Sequence, residues 1–180
     1  MFTNITRSLL DLILKIRKAI IVIYSPDLLR LMGTKITADI IAENHINNEQ
    51  KLWRHVILNA FEDCRIESGD RKASLNKTDA HYWIAQSKDF EQICWWAGWE
   101  PDEVRNRYYR ALKKGDIKFK RKHFLWWEYN QLFLRLKNET NLELRKTLRR
   151  NLENKRKQIM LADNCYVENF LNSFMKLAQL

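Results

Sequence analysis

Glycine and proline are scarce in this chain, four and two among 180 residues. So few cannot supply the tight turns of a sheet-rich fold, and the sequence predicts an all-α protein, a multi-helix bundle. Cysteine is equally thin. Cys64, Cys94 and Cys165 are widely spaced, with no Cys-x-x-Cys pair, which excludes a disulfide framework and a paired-cysteine zinc site. Cys64 and Cys94 fall at apolar positions of predicted helices, where free thiols are buried. His45, His55, His81 and His123 share no ligand spacing with them or with one another, so no metal and no cofactor is expected. Long uncharged apolar runs are missing as well. Leu9–Tyr24 is interrupted by Asp11, Lys15, Arg17 and Lys18, far short of the roughly 18–20 residues that span a bilayer. No cleavage pattern follows it. The expectation is an amphipathic helix packed on a cytoplasmic protein with no membrane span. Met32 is a second candidate start, since recognisable organisation begins just after it.

What the chain has is charge, unevenly placed. The net charge is +10. Residues 1–35 carry six basic and two acidic groups, residues 36–104 seven and thirteen, residues 105–122 nine and one, and residues 135–157 nine and three. An acidic middle followed by two basic blocks makes a polarised molecule, which favours steering towards a polyanion. A set of solvated helix faces is the plainer reading of each block alone.

Three regions follow from the pattern. Residues 1–33 form an N-terminal amphipathic helical segment, 46–117 a helical core, and 118–180 a basic and aromatic helical C-terminal extension. Within the core, Asn47 or Asn48 caps a helix bearing Leu52, Trp53, Val56, Ala60, Phe61 and Cys64. Glu67–Lys77 reads as a solvent loop, and Thr78 as the cap of a short helix over Asp79–Gln86. Later come an aromatic helix over Lys122–Lys137, a break at Asn138–Asn141, and a basic helix over 142–159 with a narrow leucine stripe. A last helix is expected beyond Asp163 or Asn164.

The most informative stretch is 88–114. Ser87 opens a helix whose apolar set is Phe90, Ile93, Cys94 and Ala97. Gly98 stands where a helix end needs a left-handed residue, and Pro101 suits the first turn of the next helix. A helix-turn-helix needs a small residue inside its first helix, Gly at the turn, an apolar residue after it, and a β-branched residue in the second helix. Cys94, Gly98, Trp99 and Val104 supply these. The second helix opens on Glu100, Asp102 and Glu103, so the groups available to DNA begin a turn later: Arg105, Asn106, Tyr109 and Arg110, then Lys113 and Lys114. Ile117–Lys122 alternates in the manner of an extended arm, and adds Lys118, Lys120, Arg121 and Lys122 as phosphate contacts.

Nothing points to an enzyme: no Gly-rich phosphate loop, nucleophile elbow or His-Glu-x-x-His is present. Asp79, His81, Asp89 and Glu91 could be grouped as a small nuclease cluster, but capping and surface roles explain them more simply. Duplex DNA is the expected partner, in a regulatory role. The alternative is docking on a protein such as RNA polymerase or a phage packaging component through Trp95, Trp96 and Trp99. The leucine stripe of the basic helix leaves surface, homodimer and phosphate-contacting roles open.

Over residues 51–107 the chain resembles uncharacterised helix-turn-helix-like proteins of prophage and gene-transfer-agent regions in alphaproteobacteria. The residues that carry the resemblance are Leu52-Trp53-Arg54-His55-Val56-Ile57, Ala60, Asp63, Ala80 and Trp83-Ile84-Ala85-Gln86-Ser87. It continues through Asp89-Phe90, Ile93-Cys94, Ala97-Gly98, Pro101 and Val104-Arg105. The resemblance implies a phage- or mobile-element protein of DNA transactions or transcription control, and it brings no catalytic residue with it.

Overall fold

The structure, a computed structural model, describes residues 25–41, 47–162 and 166–167. Among them the chain is all-α, with seven helices and no strand: α1 (Pro26–Ile41), α2 (Asn48–Arg65), α3 (Arg71–Gln86), α4 (Lys88–Ala97), α5 (Pro101–Lys114), α6 (Arg121–Asn138) and α7 (Leu142–Leu161). None is long and apolar enough to cross a membrane. The helix expected over Leu9–Tyr24 lies outside the described residues. So does most of the one expected after Asn164, but Tyr166 and Val167 are not helical: Lys120 and Tyr166 form an antiparallel bridge, and Val167 N–H donates to Phe119 O at 2.8 Å.

The chain divides into two compact units. The first takes its described residues from 25–59 and 88–111, the second from 60–87 and 112–167. In the first, Leu28, Met32, Ile36 and Ile40 line one buried face of α1. Gly33 breaks that helix at φ +79 and ψ 169, where a side chain would be strained. The buried residues Ile57, Leu58, Phe90, Cys94, Ala97, Trp99, Val104 and Tyr108 supply the rest of this core.

A charged residue sits among them. Arg54 is 7% exposed; its Nε donates to Ala97 O at 2.9 Å and its NH1 to Asp39 O at 2.8 Å. Its guanidinium also lies 5.2 Å from the Trp99 ring centroid. Both acceptors are near helix C-termini, where the orphan carbonyls and the negative end of the helix dipole favour a cation.

The second unit overturns one expectation. Residues 67–77 are not all loop: α3 begins at Arg71, capped by Asp70, whose side chain accepts from Ala73 N. Thr78 is not a cap but a buried mid-helix residue, its hydroxyl donating to Ser74 O at 2.7 Å. The reason lies in the buried face of α3, which carries Ser74, Lys77, Thr78 and His81 before it reaches Ile84. The spacing is helical, and the residues are polar. Lys77 Nζ donates to Ile66 O at 2.6 Å and lies 4.8 Å from the Phe119 ring centroid. His81 meets the same ring at 5.2 Å, edge on.

His123 completes this group. Its Nδ1 accepts from Lys120 N–H at 3.1 Å and its Nε2 lies 3.1 Å from Ser68 O. A carbonyl can only accept, so the neutral ring carries its proton on Nε2. α3 and α6 pack together, with Tyr82 and Trp127 stacked at 4.5 Å. α6 and α7 form a hairpin, tied by Lys155–Glu128 at 2.6 Å and started at α7 by Asn141, which accepts from Glu143 N and Leu144 N.

Burial, with Lys77 nearby, lowers the pKa of His81 and of His123 to about 4. Both rings are therefore neutral in the fold between about pH 4 and their ordinary value near 6.5, while the unfolded chain takes up protons there. Stability should be complete above about pH 6.5 and fall as pH drops towards 4. The slope should approach two protons, and one in His81→Phe, as read from urea midpoints across that range. Arg54→Met should cost about 2–4 kcal/mol, because two carbonyls lose their donor at once. Arg54→Lys should recover little of this, having no fork to reach both.

Candidate nucleic-acid interface

The stretch with the strongest functional pattern is two helices joined by a three-residue turn. Gly98 has φ +73. Trp99 N–H returns to Cys94 O at 2.9 Å and Gly98 N–H to Trp95 O at 3.0 Å. This pair of bonds is the Schellman closure of α4. Trp99 is then buried, and Pro101 opens α5.

α5 is strongly amphipathic. Val104, Tyr108 and Ala111 face inward. Asn106, Tyr109, Arg110 and Lys113 are exposed and, at steps of three, four and seven, lie on one outward face. Neither Arg110 nor Lys113 has an acidic partner among the described residues. Lys114 is exposed beside them at the end of the helix.

Arg105 is placed differently. Its NH1 donates to Glu91 Oε1 at 2.8 Å, its guanidinium covers the Phe90 ring at 5.2 Å, and its side chain is only 17% exposed. It braces α4 against α5. The acidic start of α5 is also partly engaged: Glu103 accepts from Lys35 Nζ at 2.7 Å, a bond that raises the lysine's pKa. Arg107 approaches the same carboxylate at 4.0 Å. Glu100 and Asp102 remain exposed, Asp102 on the same face as Asn106. Burial pushes the Cys94 thiol up to about 12, so it is a packing group and not a nucleophile.

Lys113 and Lys114, in the last turn of α5, and the other sequence-derived contacts belong to the second unit. Residues 117–120 are not helical, with a bend at Ile117 and extended backbone at Lys120; Ile117 and Phe119 are buried at 2% exposure each and Lys118 lies outside. The segment is fastened by the Val167–Phe119 bond. Lys118 and Lys120 Nζ both sit over the Tyr166 ring, at 5.4 and 5.5 Å. Arg121 and Lys122 are the first residues of α6 and not part of the expected arm; Arg121 is exposed and Lys122 half-buried.

Of the tryptophans, Trp95 and Trp96 are 59% and 44% exposed, Trp96 leaning on Trp53 at 4.8 Å. Trp99 belongs to the core. Among the suggested nuclease residues, His81 is buried beside Phe119, and Asp89 and Glu91 belong to the other unit. Among the described residues no group of three or more His, Cys, Asp or Glu could hold a metal ion. No protein-family model, curated protein or solved structure matches the chain.

The closure at Gly98 is testable. An alanine there keeps φ positive at a cost of about 1–2 kcal/mol, and its Cβ would lie 3.3 Å from Gln50 Nε2, the movable end of a side chain. Gly98→Ala should lower the urea midpoint by that amount without changing the denaturant slope.

Proposed function

We propose that this chain is a DNA-binding regulatory protein, of the phage or mobile-element kind that its sequence resembles, with α4 and α5 as its helix-turn-helix. The observation that carries the reading is the outward face of α5. Asn106, Tyr109, Arg110 and Lys113 are presented together, and the two cations lack carboxylate partners among the described residues. Cations held on a rigid helix without internal partners are available to phosphate. Arg110, Lys113 and Lys114 would contact the backbone. Asn106 has the donor–acceptor pair that fits an adenine edge. Asp102 on the same face repels phosphate, so backbone contact towards the C-terminal half of α5 dominates over base reading. Arg105 acts through the corner it braces.

A second reading rests on Trp95 and Trp96, whose exposure on α4 suits docking on a protein such as RNA polymerase. Trp99, being buried, takes no part in it.

The double reversal Arg110→Glu with Lys113→Glu should weaken binding to duplex DNA at least about a hundredfold near 100 mM salt, by fluorescence anisotropy. Both side chains are exposed, so helical circular dichroism should be unchanged. Undiminished affinity in a folded variant would remove the assignment. Trp95→Ala with Trp96→Ala should leave DNA affinity intact; loss of a polymerase or packaging partner alone would favour docking.

A further inference from the structure

The basic residues of α7 divide into two sets. Arg145 and Lys155 are engaged: Arg145 NH1 donates to Glu139 O at 3.0 Å, and Lys155 joins Glu128 across the hairpin. Leu152 and Ile159, on the same side, are buried at 8% and 3% exposure. The opposite side carries Lys146, Arg149, Arg150, Glu153, Arg156 and Lys157, all exposed. Lys146 pairs with Glu143 at 2.9 Å. The side chains of Arg149, Arg150, Arg156 and Lys157 have no hydrogen bond or ion pair with any described residue, although Glu153 lies three or four residues from each. Elsewhere the protein does match charge: Lys35 with Glu103, Arg65 with Glu62 and Arg105 with Glu91. Like Arg110 and Lys113 on α5, the cations on the outward face of α7 are left unmatched among the described residues.

We propose that this face is a second phosphate-contacting surface, which lies along the backbone of a nucleic-acid duplex. It is separate from the α5 site and does not rest on it. From residue 146 to 157 the helix rises about 17 Å, and a duplex offers roughly one phosphate charge per 1.7 Å of axis. Several phosphates therefore come within reach of four long side chains. Three of the four are arginine, whose fork grips phosphate oxygens in pairs. No carboxamide or aromatic residue apart from Asn151 and Asn154 accompanies them between 146 and 157, so the face suits backbone contact and carries little base readout. An anionic membrane is the poorer fit. A helix lying on lipid needs a continuous apolar face to bury; Leu152 and Ile159 are buried, and the exposed apolar residues of α7, Leu142, Leu144, Met160 and Leu161, fall at its two ends, outside the basic run 146–157.

The test uses the full chain with Arg149, Arg150, Arg156 and Lys157 all changed to alanine, the best helix former, leaving Arg145 and Lys155 in place. Affinity for a 40-base-pair duplex is measured between 50 and 200 mM salt, with vesicles of anionic phospholipid as a parallel arm. The log–log salt slope should shrink by about 3–4, near 0.9 for each phosphate no longer neutralised, and affinity at 100 mM salt should fall at least tenfold. An unchanged slope and affinity overturn the proposal, and so does a loss confined to vesicle binding. The Arg110→Glu with Lys113→Glu variant separates the two surfaces. If it binds normally while the α7 variant fails, the α7 surface stands and the α5 assignment falls; the reverse pattern removes the α7 surface alone.

Discussion

A single guanidinium organises the first unit. Arg54 ends two helices at once by donating to Ala97 O and Asp39 O, while its plane lies over Trp99. The carbonyls at a helix end are stranded acceptors with partial negative charge. Burying them requires a donor, and burying a cation requires acceptors. Each need answers the other. Because one bonded carbonyl belongs to the residue just before Gly98, this pairing also fixes where α4 stops and so where α5 begins. The exposed face proposed to meet DNA depends on that position, although no atom of Arg54 lies on it.

The second unit solves a similar problem with a different cation. Lys77 supplies the donor for Ile66 O, at the end of α2, and burial lowers its pKa to about 8. The Phe119 face beside it offers the negative side of an aromatic quadrupole. Two neutral histidines, His81 and His123, fill the surroundings without adding charge. A lysine core of this kind stays satisfied by hydrogen bonds and rings and needs no carboxylate partner.

Much of the architecture is legible in the sequence because its signals are local. Gly98 and Pro101 mark the end of one helix and the start of the next within four residues, and both hold. Asn47 accepts from Gln50 N, and the break before α7 is capped by Asn141. The alternation of 117–120 is equally readable, its apolar members going inward. What escapes is carried by polar residues in apolar positions. The inward face of α3 is spelled by Ser74, Lys77, Thr78 and His81, so a search for hydrophobic period passes over its first two turns. Arg54 looks like the wet side of an amphipathic helix, since its acceptors lie 15 and 43 residues away in sequence. Arg105, by the same logic, resembles a DNA contact and is in fact bound to Glu91. Charge in a sequence does not say which cations already have a carboxylate; the structure sorts Arg105 and Lys155 from Arg110 and Arg149.

The two described thiols give each unit its own internal clock. Cys94 sits in the first core and Cys64 in the second, both fully buried. A thiol reacts as its thiolate and only when reached, so an alkylating reagent must wait for the surrounding helices to part. With Cys165 replaced by serine, the rates at which the two sites are labelled would report how often each core opens. That comparison would show, without any added probe, which half of the molecule is the more durable frame for the surface it carries.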